Sequence, residues 1–264
     1  MKKVKKPQII FVDIDWTIYN HKNGHEFDVE SIEALKRCQE KGIKVFLCTA
    51  RAYHSISQIK LLDIFVPDGM ILCNGGIVLS GNDVIYEEKM DEELFEKLCE
   101  IVLTHKLTLE GIEPFSRFLI APPNEAVRNV FDIYWEEMPL VEDYHHRHII
   151  STLLFAGEEY DEILKKEIPS ALSYFRFHPF GVDVVQTAHE KGDAIKYTLE
   201  YFGIKKDRSI AFGDDLGDLS MFDNVGISIA MANGKEVAKN HAMIVTDEVW
   251  NHGVKKGLEL LKII

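Results

Sequence analysis

Residues 8–12 form an apolar, β-prone run with polar residues on either side, and the run stops at Asp13. A strand of that kind has no polar face to turn to water, so it belongs inside a sheet covered on both sides. Residues 28–41 carry Ile32, Leu35 and Cys38 at helical spacing, open with acidic residues, gather Lys36, Arg37 and Lys41 towards the end and stop at Gly42. That polarity and punctuation mark a helix. Residues 43–48 read as a second strand ending at Thr49, residues 55–62 as a helix, and residues 69–73 as a third strand. Strand and helix in alternation call for a parallel sheet.

The rhythm returns late. Residues 191–202 place Ile195, Leu199 and Phe202 on one helix face, residues 209–212 read as a strand ending at Gly213 and Asp214, and residues 226–230 and 241–245 as further strands. Val254, Leu258 and Leu261 fit a closing helix. Residues 81–189 differ. They mix a helix over 91–105 with strands near 107–109, 118–121, 149–155, 174–177 and 182–185, broken at Pro122, Pro123, Pro139 and Pro169. Because the earlier pattern resumes after them, the expected fold is α/β, a three-layer Rossmann-like parallel sheet core from residues 1–80 and 190–264. An α+β cap domain, 81–189, is inserted into it.

Charge follows the same division. Residues 81–189 hold 9 Lys and Arg against 22 Asp and Glu, which accounts for the whole net charge of -13, since the remainder holds 21 of each sign. A field of that sign repels polyanions, so no nucleic-acid partner is expected. No apolar run approaches the roughly 18 to 20 residues of a membrane span, and the lysine-rich start leads into no apolar stretch. Cys38, Cys48, Cys73 and Cys99 show no CxxC spacing and lie in apolar stretches, which suits reduced, buried thiols. A cytoplasmic protein with no membrane and no obligate protein partner is expected.

Ligands of open parallel sheets bind beyond the carboxyl ends of the strands. The polar residues there are Asp13 and Asp15 after the first strand, Thr49 and Arg51 after the second, and Asp214, Asp215 and Asp218 after a late one, with Lys191 opening the helix before it. Asp13 and Asp15, two apart, crowd their charges if extended. A hard divalent cation on Asp13, a nearby carbonyl and Asp214 relieves that, and an all-oxygen set suits Mg²⁺; capping of turns by the same aspartates is the plainer alternative.

Asp-Ile-Asp-Trp-Thr at 13–17, Leu-Cys-Thr-Ala-Arg at 47–51, Lys191-Gly192 and Gly-Asp-Asp-Leu-Gly-Asp at 213–218 together resemble the four-motif signature of the haloacid dehalogenase superfamily. Asn74-Gly75-Gly76, the insert, and Ala230-Met231-Ala232-Asn233-Gly234 resemble its Cof-type branch of small-molecule phosphatases. The resemblance implies an Mg²⁺-dependent phosphomonoesterase acting on a small phosphorylated metabolite, sugar phosphates first. It makes Asp13 the nucleophile that forms an aspartyl-phosphate, and Asp15 the general acid and base whose backbone carbonyl also binds the metal. Thr49, the backbone around Ala50, and Lys191 hold the phosphoryl oxygens. Asp214 is a direct metal ligand, Asp218 a water-mediated ligand or orienting group, and Asp215 stands outside. The cap closes over the leaving group. A phosphomutase and a non-catalytic phosphosugar-binding regulator are the rival readings.

Other residues invite plainer readings. His145, His146 and His148 suit a surface strand better than a metal site, and Arg51 a structural or rim charge. Trp135, Phe175, Phe177 and Phe180 are expected in the core of the insert, with Phe180, before Gly181, the best candidate among them for a turn facing the substrate. The acidic insert disfavours a second phosphate on the substrate unless Arg117, Arg128, Arg147 or Arg176 points inward. Two positions depart from the family pattern: Trp16, where Gly is usual, and Gly217, where Asn is usual.

Overall fold

The computed structural model describes residues 6–22, 24–134, 137–186 and 190–264. The chain forms two compact units, one of Met1–Ala50, Leu62–Tyr86 and Glu190–Ile264, the other of Arg51–Leu61 and Glu87–His189.

The first unit holds an eight-stranded sheet. At its centre β1 (Ile9–Val12) is wholly buried, as an all-apolar strand must be. On one side lie β4 (Lys44–Cys48) and β5 (Gly69–Leu72), on the other β13 (Ser209–Gly213), β14 (Ile227–Ala230) and β15 (Ile244–Val245), all parallel. Ile9 and Phe11 join a cluster with Ala194, Ile195 and Leu199 of the helix Lys191–Tyr201 and with Met221 and Phe222. The pleat sends Ile10 and Val12 to the opposite face. The helix Val29–Glu40 begins where Asp28 accepts from the Ser31 N–H at 3.2 Å, and it buries Ile32, Leu35 and Cys38.

The sheet is not parallel throughout. After β5 the chain turns within four residues into β6 (Ile77–Ser80), antiparallel to it, because so short a link cannot make a crossover. The edge strand β7 (Asp83–Glu87) extends the same sheet past residue 81, where the composition changes. The single helix expected over 55–62 is two short ones, Tyr53–Gln58 and Leu61–Ile64, with Lys60 between them at φ +58. A hairpin absent from the sequence reading, β2 (Tyr19–Asn20) and β3 (Glu26–Phe27), follows β1 and seats the Tyr19 ring 4.6 Å from that of Phe27.

The second unit contains a five-stranded antiparallel sheet in the order β11 (Leu172–His178), β12 (Gly181–Gln186), β10 (Ser151–Phe155), β8 (Thr108–Ile112), β9 (Arg117–Leu119). Phe95, Leu98, Cys99 and Val102 of the helix Glu92–Thr104 pack with Leu109, Phe118, Leu154, Val182 and Val184. On the other face Leu119 and Phe155 meet Val127, Val130 and Phe131. Phe175, Phe177 and Phe180 are not core: they are 60%, 41% and 36% exposed. β11 is an edge strand, and its pleat packs Tyr174 on the cluster while turning Phe175 and Phe177 away. Trp135 lies outside the described residues. His145 and His146 stand in a turn rather than a strand, paired with Asp143 at 2.6 Å and Glu92 at 2.5 Å. His148 meets Glu87 at 3.1 Å. All four cysteines are free and buried.

Three of the four arginines are committed within this unit. Arg117 is buried against Glu110 at 3.2 Å, and Arg147 bonds Glu113 through two nitrogens at 3.0 Å each. Arg128 is exposed. Arg176 donates to both Asp161 oxygens and to the carbonyls of Ala156, His178, Pro179 and Gly157. Hydrogen bonding from Arg176 holds the Asp161 carboxyl down at about 2. A lysine cannot reproduce that fork, so Arg176→Lys is expected to cost about 2–3 kcal/mol, read as faster amide exchange in β11 and β12. A carboxyl lowered by folding stabilises above its ordinary pKa and loses that contribution as pH falls towards 2. The gap between wild type and variant therefore narrows from about pH 4 downwards.

Candidate active site

In the first unit, the carboxyl ends of β1, β4 and β13 bring polar residues to one edge. Val12 is in register with Leu47 and Phe212, and the Asp13 N–H donates to the Phe212 carbonyl at 2.9 Å, so Asp13 continues the strand by one residue. Its carboxyl is nearly buried. Lys191, 5% exposed, puts Nζ 2.8 Å from Asp13 Oδ1 and 2.7 Å from Asp218 Oδ1, so the residue that opens this helix is a buried cation between two carboxylates. Asp218 is fully engaged: its Oδ2 accepts the N–H groups of Asp214 at 2.7 Å and Asp215 at 3.1 Å. A Cβ on Gly213 would sit 2.4 Å from that oxygen, so the glycine makes room for the carboxylate under the strand end.

Asp214 is also buried, and among the described residues its carboxyl receives no hydrogen bond. The carboxylate atoms of Asp13, Asp214 and Asp218 lie within 4.8 Å of one another. Burial pushes the Asp13 carboxyl well above the usual carboxylate range; Lys191 opposes, and Asp218 and Asp15 add to the rise. Burial, then Asp13 and Asp218, raise Asp214 likewise. Burial works against the Lys191 cation, but Asp13 and Asp218 outweigh it and hold its pKa well above the lysine value. Three crowded oxygen donors with one cation among them fit a hard divalent ion that supplies the missing positive charge.

The remaining motif residues build the walls. Thr49 is buried, its N–H bonded to Ile71 O at 2.9 Å, and its carbonyl takes the Asn74 N–H at 3.1 Å. Ala50 follows it at the surface of the same unit. Gly75, at φ +105, passes so close to the start of the lysine's helix that a Cβ would meet Glu190 O at 2.6 Å. Asn74-Gly75-Gly76 thus ties the Thr49 loop to Lys191. Asn233 donates to Trp16 O at 2.8 Å while its own Oδ1 takes the Val249 N–H at 2.8 Å, and the Lys235 N–H bonds Asp214 O at 2.8 Å. Residues 230–235 therefore brace both acidic loops.

Asp15 is half-buried beside the cluster in sequence, its carboxyl held by His21 at 2.7 Å. Sequence reading passed over His21, which lies six positions after Asp15 with no motif to mark it. Trp16 has φ +58, which explains why glycine is usual there, and its ring, 37% exposed, lies 5.2 Å from the His21 ring. Asp215 caps the turn 216–218 and pairs with Lys235 at 2.7 Å, outside the cluster. Arg51 falls in the other unit. Gly217 has nothing within 4 Å of where a side chain would start. Glu92, Glu96 and His146 form a second acidic group, on the surface of the other unit.

A cluster of this kind beyond the carboxyl ends of a mostly parallel α/β sheet stands where such sheets bind their ligands. The family model for haloacid dehalogenase-like hydrolases matches residues 10–258, and the chain belongs to that family. Its place there is the Cof-type branch of phosphatases. It is 29% identical to a putative phosphatase of Bacillus subtilis, over 97% of this chain and 99% of that protein. It is 26% identical to a putative bifunctional phosphatase and peptidyl-prolyl cis-trans isomerase of Streptococcus pyogenes, covering 99% of this chain but only 55% of that longer protein. The solved structure of a subclass IIB sugar phosphatase of the superfamily superposes with a TM-score of 0.81 at 27% identity, covering 97% of this chain and all of the other. No helix among the described residues is long and apolar enough to cross a membrane.

Proposed function

We propose that the protein hydrolyses the phosphomonoester of a small metabolite, a sugar phosphate before others, through an aspartyl-phosphate on Asp13. The observation that carries this is the buried Asp13–Lys191–Asp218 triad beside Asp214. Lys191 occupies Asp13 Oδ1, leaving Oδ2 to attack phosphorus while the P–O bond to the sugar breaks. Asp15 gives its proton to the leaving alkoxide, then takes one from the water that splits the acyl-phosphate. Thr49, the Ala50 backbone and Lys191 hold the phosphoryl oxygens. Asp13, Asp214 and the Asp15 carbonyl, with Asp218 behind, would hold Mg²⁺, which would supply further positive charge against the phosphoryl group. Residues 1–80 and 190–264 serve as the catalytic part and 81–189 as the part that selects the substrate. The similarity to a sugar phosphatase supports sugar phosphates.

The test is phosphate release from an aryl phosphate and a panel of sugar phosphates, with Mg²⁺ or a chelator. Release that requires the metal is expected; none from folded, metal-binding protein overturns the reading. A second readout needs no turnover. Carboxyls raised by folding cost stability as pH climbs from the ordinary carboxylate range through their folded values, and a bound dication removes that cost. Saturating Mg²⁺ should stabilise the protein by about 1–3 kcal/mol, with an increment in Tm that grows as pH rises.

A further inference from the structure

The Asp15 carboxyl is held from one side by a short chain of imidazoles. His21 Nε2 lies 2.7 Å from Asp15 Oδ1, and His21 Nδ1 lies 2.9 Å from His25 Nδ1. The His21 ring is 15% exposed and is gripped by Tyr19 at 4.8 Å and Trp16 at 5.2 Å between ring centres. Its backbone is tied to the same place. Asp15 bridges Tyr19, and the Trp16 N–H bonds Tyr19 O at 2.8 Å, so the hairpin that presents His21 moves with Asp15.

Donors and acceptors give this chain a direction. A carboxylate only accepts, so His21 Nε2 carries the hydrogen. In the neutral ring Nδ1 is then bare and accepts from His25 Nδ1–H. We infer that His21 is a positioning residue for Asp15: by holding Oδ1 it fixes the carboxyl rotamer from which Asp15 hands its proton to the leaving alkoxide. Proton transfer depends on such alignment within hydrogen-bond reach. The inference rests on the proposed role of Asp15 as general acid.

A general acid matters most when the leaving group is a poor one, so leaving-group dependence separates positioning from mere support of the fold. The probes are phenyl phosphate and 2,4-dinitrophenyl phosphate, whose phenol is far more acidic and leaves without help. His21→Ala should lower kcat/KM, which ends at departure of the phenol and so excludes the hydrolysis common to both esters, by about 10- to 30-fold on phenyl phosphate, a part of the 10²–10⁴ that a general acid supplies, and change it by less than about twofold on the dinitrophenyl ester. His21→Gln, whose amide can also donate to Oδ1, should recover most of the loss. Equal losses on both esters, or none on either, overturn the inference while leaving the general-acid reading intact. Equal losses on both esters from Asp15→Asn overturn that reading and this one together. Long-range ¹H–¹⁵N spectra of the metal-free protein at mildly alkaline pH give a readout independent of turnover. They should show His21 as the Nε2–H and His25 as the Nδ1–H tautomer; the reverse pair sinks the inference.

Discussion

Asp13→Asn should abolish phosphate release, by about 10⁴-fold or more, while the protein stays folded and its metal-free form becomes no less stable. The amide oxygen still accepts from Lys191, whose Nζ lies 2.8 Å from Asp13 Oδ1, so the packing around the site survives. What disappears is the lone pair that attacks phosphorus. What also disappears is a buried charge whose burial already pushes its pKa up. Above the ordinary carboxylate range that charge is a burden on the fold, so urea midpoints without metal should match or exceed those of wild type. Residual activity above about one per cent of wild type would remove Asp13 from the nucleophile's role.

Lys191→Met should have the opposite balance. The side chains match in length and the site is buried, so the change removes charge and two hydrogen bonds rather than volume. Asp13 and Asp218 then face each other without a cation, and losing one partner of a buried ionic group costs about 3–5 kcal/mol. Turnover should fall about 10²–10³-fold, the scale of losing one preorganised charge stabiliser. The pH dependence carries the sign: Lys191 opposes the rise of the Asp13 carboxyl, so without it that carboxyl rises further, and the penalty is largest at high pH and shrinks as pH falls into the range where Asp13 binds a proton. Chemical denaturation at pH 5 and pH 8, without metal, reads this directly. A loss under about 1 kcal/mol at pH 8 would mean that the lysine does not neutralise the site.

The sequence made the acidic edge of the first sheet legible because each of its parts has a local signature. An apolar strand ending in an acid is recognisable at Val12-Asp13 and again at Gly213-Asp214, and the pairing β1–β13 places the two ends side by side. Lys191 opens its helix, where a cation opposes the dipole, and burial against two carboxylates accounts for its place there. The illegible parts depend on partners distant in sequence. Strands of two residues leave no periodicity, so the hairpin carrying His21 was invisible. Period-two alternation puts Phe175 and Phe177 on one face of β11 without saying whether anything covers it. The arginines of the second unit could be counted but not oriented, and Arg117, Arg147 and Arg176 are spent on carboxylates and carbonyls of that unit. Trp16 shows the reverse case, in which the departure from pattern was visible but its backbone reason, a positive φ, was not.

The position of β1 bears on how the chain is made. Ile9 pairs with Lys44 on one side, available early in synthesis, and with Ser209 on the other. Until the ribosome has delivered β13, one edge of a fully apolar strand stays open, a template for joining other chains. Nascent and truncated chains that stop short of residue 209 therefore carry Asp13 at the end of an open-edged, adhesive strand, which must be kept from other chains until about the last fifth of the sequence arrives.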